Sequence, residues 1–398
     1  MSDTQRRPNI LGLYSHGGAG HLSALESVVA ALGDAYQVNQ VAPLRQICAA
    51  VDPIRRLTRG RWDGEDLYNA LAARGRNRQV SLLAAAGARL FPLRRPGLVR
   101  LLSAYVATTR PDLILSTMPF INGALWAVAQ AHRIPLLVVT CDLNLAYYVS
   151  GIERPAGDLF ALTYAFAEAT IAASLASAKL LPTQLLHVGF PLRPVFTEPI
   201  SAAQMQALRL EAGLPRDRSI VVIMMGGAGS RIAEDYVRVL RRGGHRLHLV
   251  ILTGRNAALK TRLDALPPTP QVTLTTVAFT AAVQRLLGCA DVLITKPGAT
   301  SVMEAMSLGI PMLLDCTQGV IAWERDNVAF ATRRGAAAVR HISDVPQLLL
   351  AQLQQPRSFA ATAPFVDFPT RLRQTVRRLL TPATAGLPAP ALATATAP

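Results

Sequence analysis

A short apolar run, Val292-Leu293-Ile294, gives way to Lys-Pro-Gly-Ala-Thr and then to a helix-compatible stretch beginning near Thr300. A buried strand that breaks at Pro297-Gly298 and restarts as a helix is a corner of an α/β layer. Such a corner aims backbone N–H groups and a helix N-terminus at one spot, where an anion is favoured. Lys296 adds a point charge there. Glu304 follows Thr300 by four residues, one helical turn on and on roughly the same face. A carboxylate repels phosphate but accepts hydrogen bonds from both hydroxyls of a ribose, so the pair points to a nucleotide. The spacing is not GxxxxGK[ST], which argues against a Walker-type NTPase. An ordinary strand–turn–helix corner is the plainer alternative.

The rest of the first half sets the same rhythm. Residues 9–15 (NILGLYS) read as a strand, 16–21 (HGGAGH) as a glycine loop, and Leu22–Leu32 as a helix. His21 stands at the helix start, where a neutral imidazole able to accept a proton is favoured. A histidine satisfied by local hydrogen bonds is the alternative. A strand near Tyr36–Pro43 follows. Between Asp66 and Asp112 there is no acidic residue, yet Arg74, Arg76, Arg78, Arg89, Arg94, Arg95, Arg100 and Arg110 all fall there. Leu98, Leu101, Leu102 and Tyr105 form one helical stripe among them. A basic amphipathic segment fits an anionic bilayer surface, with Arg89, Arg94, Arg95 and Arg100 as contacts; a core-packed helix with a solvated arginine face fits equally. The aromatics are too few for a base-stacking platform, so nucleic acid is not expected. The strand 113–117, a helix 122–133 and the strand 135–141 then lead to Asp142, at the strand end where open α/β sheets hold ligands. Residues 145–186 read as helical, and HVGFPLRPVF (187–196) as an interdomain connection.

The second half repeats the pattern: strands 219–225, 247–253, 271–279 and 311–316, a glycine turn GGAGS (226–230), and a helix bearing Glu324 and Asn327. The 398 residues are too many for one core. They divide into a domain over 1–190, a linker 191–200, a domain over 201–381, and an Ala/Pro/Thr-rich tail, 382–398, expected to be disordered. The formal charge of +16 favours an anionic partner or surface. Cys48, Cys141, Cys289 and Cys316 form no CxxC pair, so neither a metal site nor a disulfide framework is expected. No signal peptide or transmembrane span is read, and the expected place is the cytoplasm, peripheral on the inner face of the cell membrane.

Taken together, HGGAGH, VGFPLRPVF, MMGGAGS, LTGRN, TKPGATSVMEA and the WERDN run resemble one family, in its order and over about residues 9–340. It is the glycosyltransferase group that includes monogalactosyldiacylglycerol synthases, processive diacylglycerol glucosyltransferases and, more distantly, the MurG transferase. The resemblance implies an α/β fold of two Rossmann-like domains facing a cleft, the GT-B arrangement. It implies inverting transfer of a hexose, glucose or galactose, from a UDP-sugar to a membrane lipid hydroxyl such as diacylglycerol, with no cofactor and no obligatory metal. By the match, Lys296, Gly298, Ala299 and Thr300 lie at the diphosphate, Glu304 at the ribose, the backbone near Phe279 at the uracil, Asn256 beside the nucleotide pocket, and Gly227 within the UDP-sugar site. Glu324 and Asn327 face the hexose, His21 is the acceptor-side base, and Asp142 orients it or acts as one. Two departures stand out: Trp323 where the family usually has Gln, and Met118 where it often has His. The first bears on the donor hexose. Other acceptors (polyprenyl-linked, sterol, carotenoid), a UDP-sugar 2-epimerase and a non-catalytic nucleotide-sugar binder remain as alternatives.

Overall fold

The computed structural model describes residues 6–152, 159–166, 180–198, 200–355 and 365–381. Within them lie two six-stranded sheets whose pairings are all parallel. The first comprises β1 (Asn9–Leu13), β2 (Gln37–Val41), β3 (Leu113–Ser116), β4 (Leu136–Val138), β5 (Phe160–Tyr164) and β6 (Leu185–His187), ordered β2-β1-β3-β4-β5-β6. The second comprises β7 (Ser219–Met224), β8 (Leu247–Gly254), β9 (Val272–Ala278), β10 (Val292–Thr295), β11 (Met312–Asp315) and β12 (Ala337–Val339), ordered β12-β11-β10-β7-β8-β9. These are the two Rossmann-like domains expected of a GT-B chain.

Parallel strands covered on both faces by helices need apolar residues at consecutive positions. In β7, Ile220, Val221, Val222 and Ile223 are all fully buried, although successive side chains point to opposite faces. The strand order reverses between β1 and β3 in one sheet and between β7 and β10 in the other. Those reversals are where open α/β sheets leave a crevice for ligands. The loops that open there are the two glycine corners and the Lys296 loop.

Two expectations change, and one choice left open is decided. The helical reading of 145–186 misses β5, a five-residue apolar run that periodicity cannot tell from a buried helix; residues 153–158 and 167–179 of that stretch lie outside the described residues, as does the tail 382–398. The helix Phe368–Leu380 packs Phe368, Leu372 and Val376 against Ile10, Leu25 and Val28, and Arg373 donates to the Ala31 carbonyl at 2.8 Å. The chain therefore returns to the first domain at a point where 201–381 was read as one unit. Third, the stripe on helix Arg95–Thr109 faces inward: Leu98, Leu102 and Val106 are at most 2% exposed. Helical spacing identifies an apolar face but does not say what covers it. The exposed apolar side chains in this region are instead Leu57, Trp62, Leu82, Leu90 and Leu93. Among the described residues no helix is long and apolar enough to cross a membrane.

The second glycine corner closes by backbone-to-backbone contact. Gly229 has φ +71°, and a β-carbon there would stand 2.0 Å from the Thr253 carbonyl oxygen. Gly229→Ala should therefore lower stability by about 3 kcal/mol, read as a shift in the urea midpoint. An unchanged midpoint would mean the turn is not built this way.

Candidate active site

His21 lies in the first turn of helix Gly20–Leu32, which follows the first glycine corner. Its Nδ1 is 2.8 Å from the Thr117 carbonyl, at the end of β3. A carbonyl can only accept, so the proton sits on Nδ1 and Nε2 presents its lone pair. The Cys141 Sγ is 3.2 Å from the same Nδ1 and 3.2 Å from the Tyr148 hydroxyl, which donates to Asp142 Oδ2 at 3.2 Å. Donor atoms of His21, Cys141 and Asp142 all lie within 4.8 Å of one another. Asp142 was expected to orient the histidine or to act as a base itself; the hydrogen bond to the ring comes from the Thr117 carbonyl, and Asp142 acts on the ring through its charge. Burial raises the Asp142 pKa, while His21 and Tyr148 pull it back. Burial also lifts the Cys141 thiol well above its usual range, which keeps it neutral.

An apolar cavity opens beside His21. Leu44, Cys48, Tyr68, Met118, Phe120 and Trp323 wall its inner part, and Ala84, Gly87, Leu90 and Phe91 of helix Asn77–Leu93 line its outer part. Leu90 is 45% exposed, so the cavity reaches the surface there, beside exposed Leu82, Leu93 and Arg89. Arg94 turns inward, donating to the Val51 carbonyl at 3.0 Å, whereas Arg100 is exposed; Arg95 is partly buried. The polar groups at the cavity's inner end are engaged. Glu65 accepts from Ser15 Oγ, the His16 N–H and Arg45 Nε, at 2.5, 2.8 and 3.0 Å. Phe120 adopts φ +67°, a conformation rare for a bulky residue, and its N–H donates to the Tyr147 carbonyl at 2.8 Å.

Across the cleft, Gly298 caps helix Ala299–Ser307. Lys296 reaches the first domain, its Nζ donating to the Ala72 carbonyl at 2.8 Å. Burial lowers the Lys296 pKa, opposed by Glu324 and Asp315. Glu324 ends a short 3-10 turn, and burial lifts its pKa to about 7, with Lys296 opposing and Asp142 adding to the rise. Asn327 is fully buried; its Nδ2 donates to the Pro297 carbonyl at 2.9 Å, while its Oδ1 has no partner among the described residues.

Glu304 is 3% exposed, and Arg193 donates to its Oε1 from both Nε and Nη2, at 3.0 and 2.8 Å. Burial raises the Glu304 pKa and Arg193 opposes that shift. The two residues expected beside the base end of the nucleotide lie as follows. Asn256 caps helix Ala257–Asp264, accepting from the Leu259 N–H at 2.9 Å. Phe279, 56% exposed, lies under the Arg255 guanidinium at 4.4 Å. Gly227 has open space where a side chain would stand. Sequence reasoning missed Thr117, Cys141 and Arg193; only Arg193 carried a signal, as a cation between the two linker prolines.

Residues 220–356 match the glycosyltransferase family 28 C-terminal domain. The chain is 25% identical over 237 residues to the processive diacylglycerol beta-glucosyltransferase of Bacillus subtilis (strain 168), covering 58% of this chain and 57% of that one. It is 27% identical over 239 residues to monogalactosyldiacylglycerol synthase 1 of Arabidopsis thaliana, covering 57% and 42%. The chain thus spans about half the length of the curated relatives it matches. Among solved structures, Acinetobacter baumannii MurG superimposes with a TM-score of 0.53 at 13% identity, covering 94% of this chain and 98% of that one. A UDP-glucosyltransferase from Polygonum tinctorium gives 0.58 at 14%, covering 95% and 99%. These superpositions establish the fold.

Glu324 gives a pH signature. A carboxyl raised from 4.5 to about 7 in the fold costs stability once ionised, and that cost grows between those two values and is constant above them. The stability of Glu324→Gln relative to wild type should therefore rise from pH 4.5 to 7 and then level off in urea titrations. A pH-independent difference would place Glu324 in water.

Proposed function

Taking as premise that residues 220–356 are a glycosyltransferase family 28 C-terminal domain, we propose that this chain moves a hexose from a UDP-sugar to a membrane lipid hydroxyl, diacylglycerol being the model acceptor. The observation that carries the reading is the apolar cavity running from His21 to exposed Leu90. A base at the end of a greasy channel fits a hydroxyl borne on a hydrocarbon body. The Bacillus subtilis relative is named a diacylglycerol glucosyltransferase and the Arabidopsis thaliana relative a monogalactosyldiacylglycerol synthase, which supports the same acceptor class here. The exposed Leu82, Leu90 and Leu93 beside Arg89 suit a peripheral position on an anionic bilayer, which we assign to the inner face of the cell membrane.

In this mechanism the acceptor hydroxyl gives its proton to His21 Nε2. Its oxygen bonds the anomeric carbon while the bond to the diphosphate breaks on the opposite side, so the configuration inverts and UDP departs. Charge growing on the diphosphate meets the N-terminus of helix Ala299–Ser307 and Lys296, which exchanges the Ala72 carbonyl for phosphate oxygen. Glu304, steadied by Arg193, accepts from the ribose. No metal is required by this scheme.

Labelled UDP-glucose, UDP-galactose or UDP-GlcNAc, incubated in EDTA with a lipid extract, should yield a labelled glycolipid on chromatography; no product from any donor would overturn the proposal. His21→Ala should lower turnover about 10²–10⁴-fold with UDP affinity intact, and full turnover would remove the base assignment. Glu304→Ala should weaken UDP binding about tenfold or more by calorimetry, whereas an unchanged affinity would exclude the ribose role.

A further inference from the structure

Trp323 was expected beside the donor hexose, yet its indole lies in the apolar cavity of the first domain. It stacks on Tyr68, with ring centroids 6.2 Å apart and planes at 21°, and meets Tyr147 edge-on at 5.7 Å and 84°. Tyr147 in turn packs on Phe120 at 4.9 Å, and Phe120 stacks on Phe91 at 5.9 Å. An unbroken chain of aromatic contacts thus runs from helix Asn77–Leu93 to a residue of the opposite domain, with Phe91, Phe120, Tyr68 and Trp323 lining the cavity and Tyr147 behind them. The loop carrying Trp323 is fastened to that same helix. Asn77 Nδ2 donates to the Gly319 carbonyl at 2.7 Å, and the Ala322 N–H donates to Ser81 Oγ at 3.1 Å. Asn144 Nδ2 reaches Asp326 Oδ2 at 2.9 Å.

We propose that Trp323 selects the acceptor: carried by the donor-side domain, it closes the inner end of the lipid cavity, so the lipid is held fully only when the two domains are together. The proposal rests on the lipid-acceptor reading above. Its physical basis is that an apolar ligand gains affinity from each wall that excludes water, and a large aromatic ring is the wall with the most area. Helix Asn77–Leu93 lines the cavity with one part and grips the donor-side loop with another, so filling the cavity and holding that loop favour each other.

The test measures the acceptor KM for dioleoylglycerol in mixed micelles alongside UDP binding by calorimetry without lipid. Trp323→Ala should raise that KM about tenfold or more, with UDP affinity unchanged and partial recovery in Trp323→Phe. The double variant Asn77→Ala/Ser81→Ala, which keeps the indole, should raise the same KM. An unaltered KM in Trp323→Ala, or a loss of UDP affinity matching the rise in KM, would overturn the proposal and return Trp323 to the donor side. If wild type transfers no sugar, the functional reading fails on its own. Binding of a pyrene-labelled diacylglycerol, wild type against Trp323→Ala, then decides the proposal: equal binding refutes it and weaker binding to the variant upholds it.

Discussion

The site is built around the approach of two helix N-termini across the cleft. A β-carbon on Gly20, at the start of one helix, would stand 3.1 Å from Thr300 Oγ1, at the start of the other. Each terminus carries about half a positive charge, and Lys296 adds a full one nearby. Positive ends this close raise each other's energy unless negative charge comes between or beside them. The fold supplies part of that compensation through the Ala72 carbonyl on Lys296 and through Glu324. A diphosphate would supply the rest, and it would do so most effectively as its charge increases on leaving. The small residue at position 20 lets the two termini approach this closely without displacing the Thr300 hydroxyl.

Burying charge in such a cleft is costly, and the structure offsets it by pairing across elements. Glu304 and Arg193, an ion pair at 2.8 Å, come from a helix and from the linker, while Lys296 and Glu324, on two loops of one sheet, attract each other at longer range. Neither pair is best understood as a source of stability, because desolvation consumes most of the attraction. What pairing supplies is placement. Arg193 fixes one oxygen of Glu304, so the carboxylate does not need to reorganise when a hydroxyl arrives. The Thr117 carbonyl does the same for His21, fixing which nitrogen carries the proton before any substrate binds.

Much of this framework could be read from the chain. Strands β1, β7 and β10 are largely apolar runs followed within a few residues by glycine or proline, and the ends of β1 and β7 locate the two glycine corners. Strand β5 was missed because five apolar residues satisfy a strand and a helix turn alike. His21 was legible from its place after HGGAG, but its partners were not: Thr117 and Cys141 are 96 and 120 residues away, and only the sheet order brings them together. The stripe at Leu98 and Leu102 announced a helix without saying which medium it faced. Trp323 was set on the donor side because it stands where the resembled family usually has Gln, just before Glu324. In a 3-10 turn, however, consecutive side chains diverge by about 120°, so Trp323 lines the apolar cavity while its neighbour Glu324 acts on Lys296.

The path of the chain explains how such a cleft can open without losing its alignment. The backbone leaves the first domain through 188–198 and comes back to it by Val366 and helix Phe368–Leu380. The two passages touch: Gly189, at φ +95°, lies so near Val366 that a β-carbon would stand 2.6 Å from its Cγ2. Beside them Phe166 of the first domain packs on Phe330 of the second at 4.6 Å and on Phe365 at 6.0 Å. Two adjacent tethers with an apolar contact at their side leave one easy motion, a rotation about that edge absorbed by a few linker dihedrals. Such a rotation would part Trp323 from Tyr68 and Lys296 from Ala72 at the far side of the cleft, while Arg193, within the linker itself, could keep its hold on Glu304.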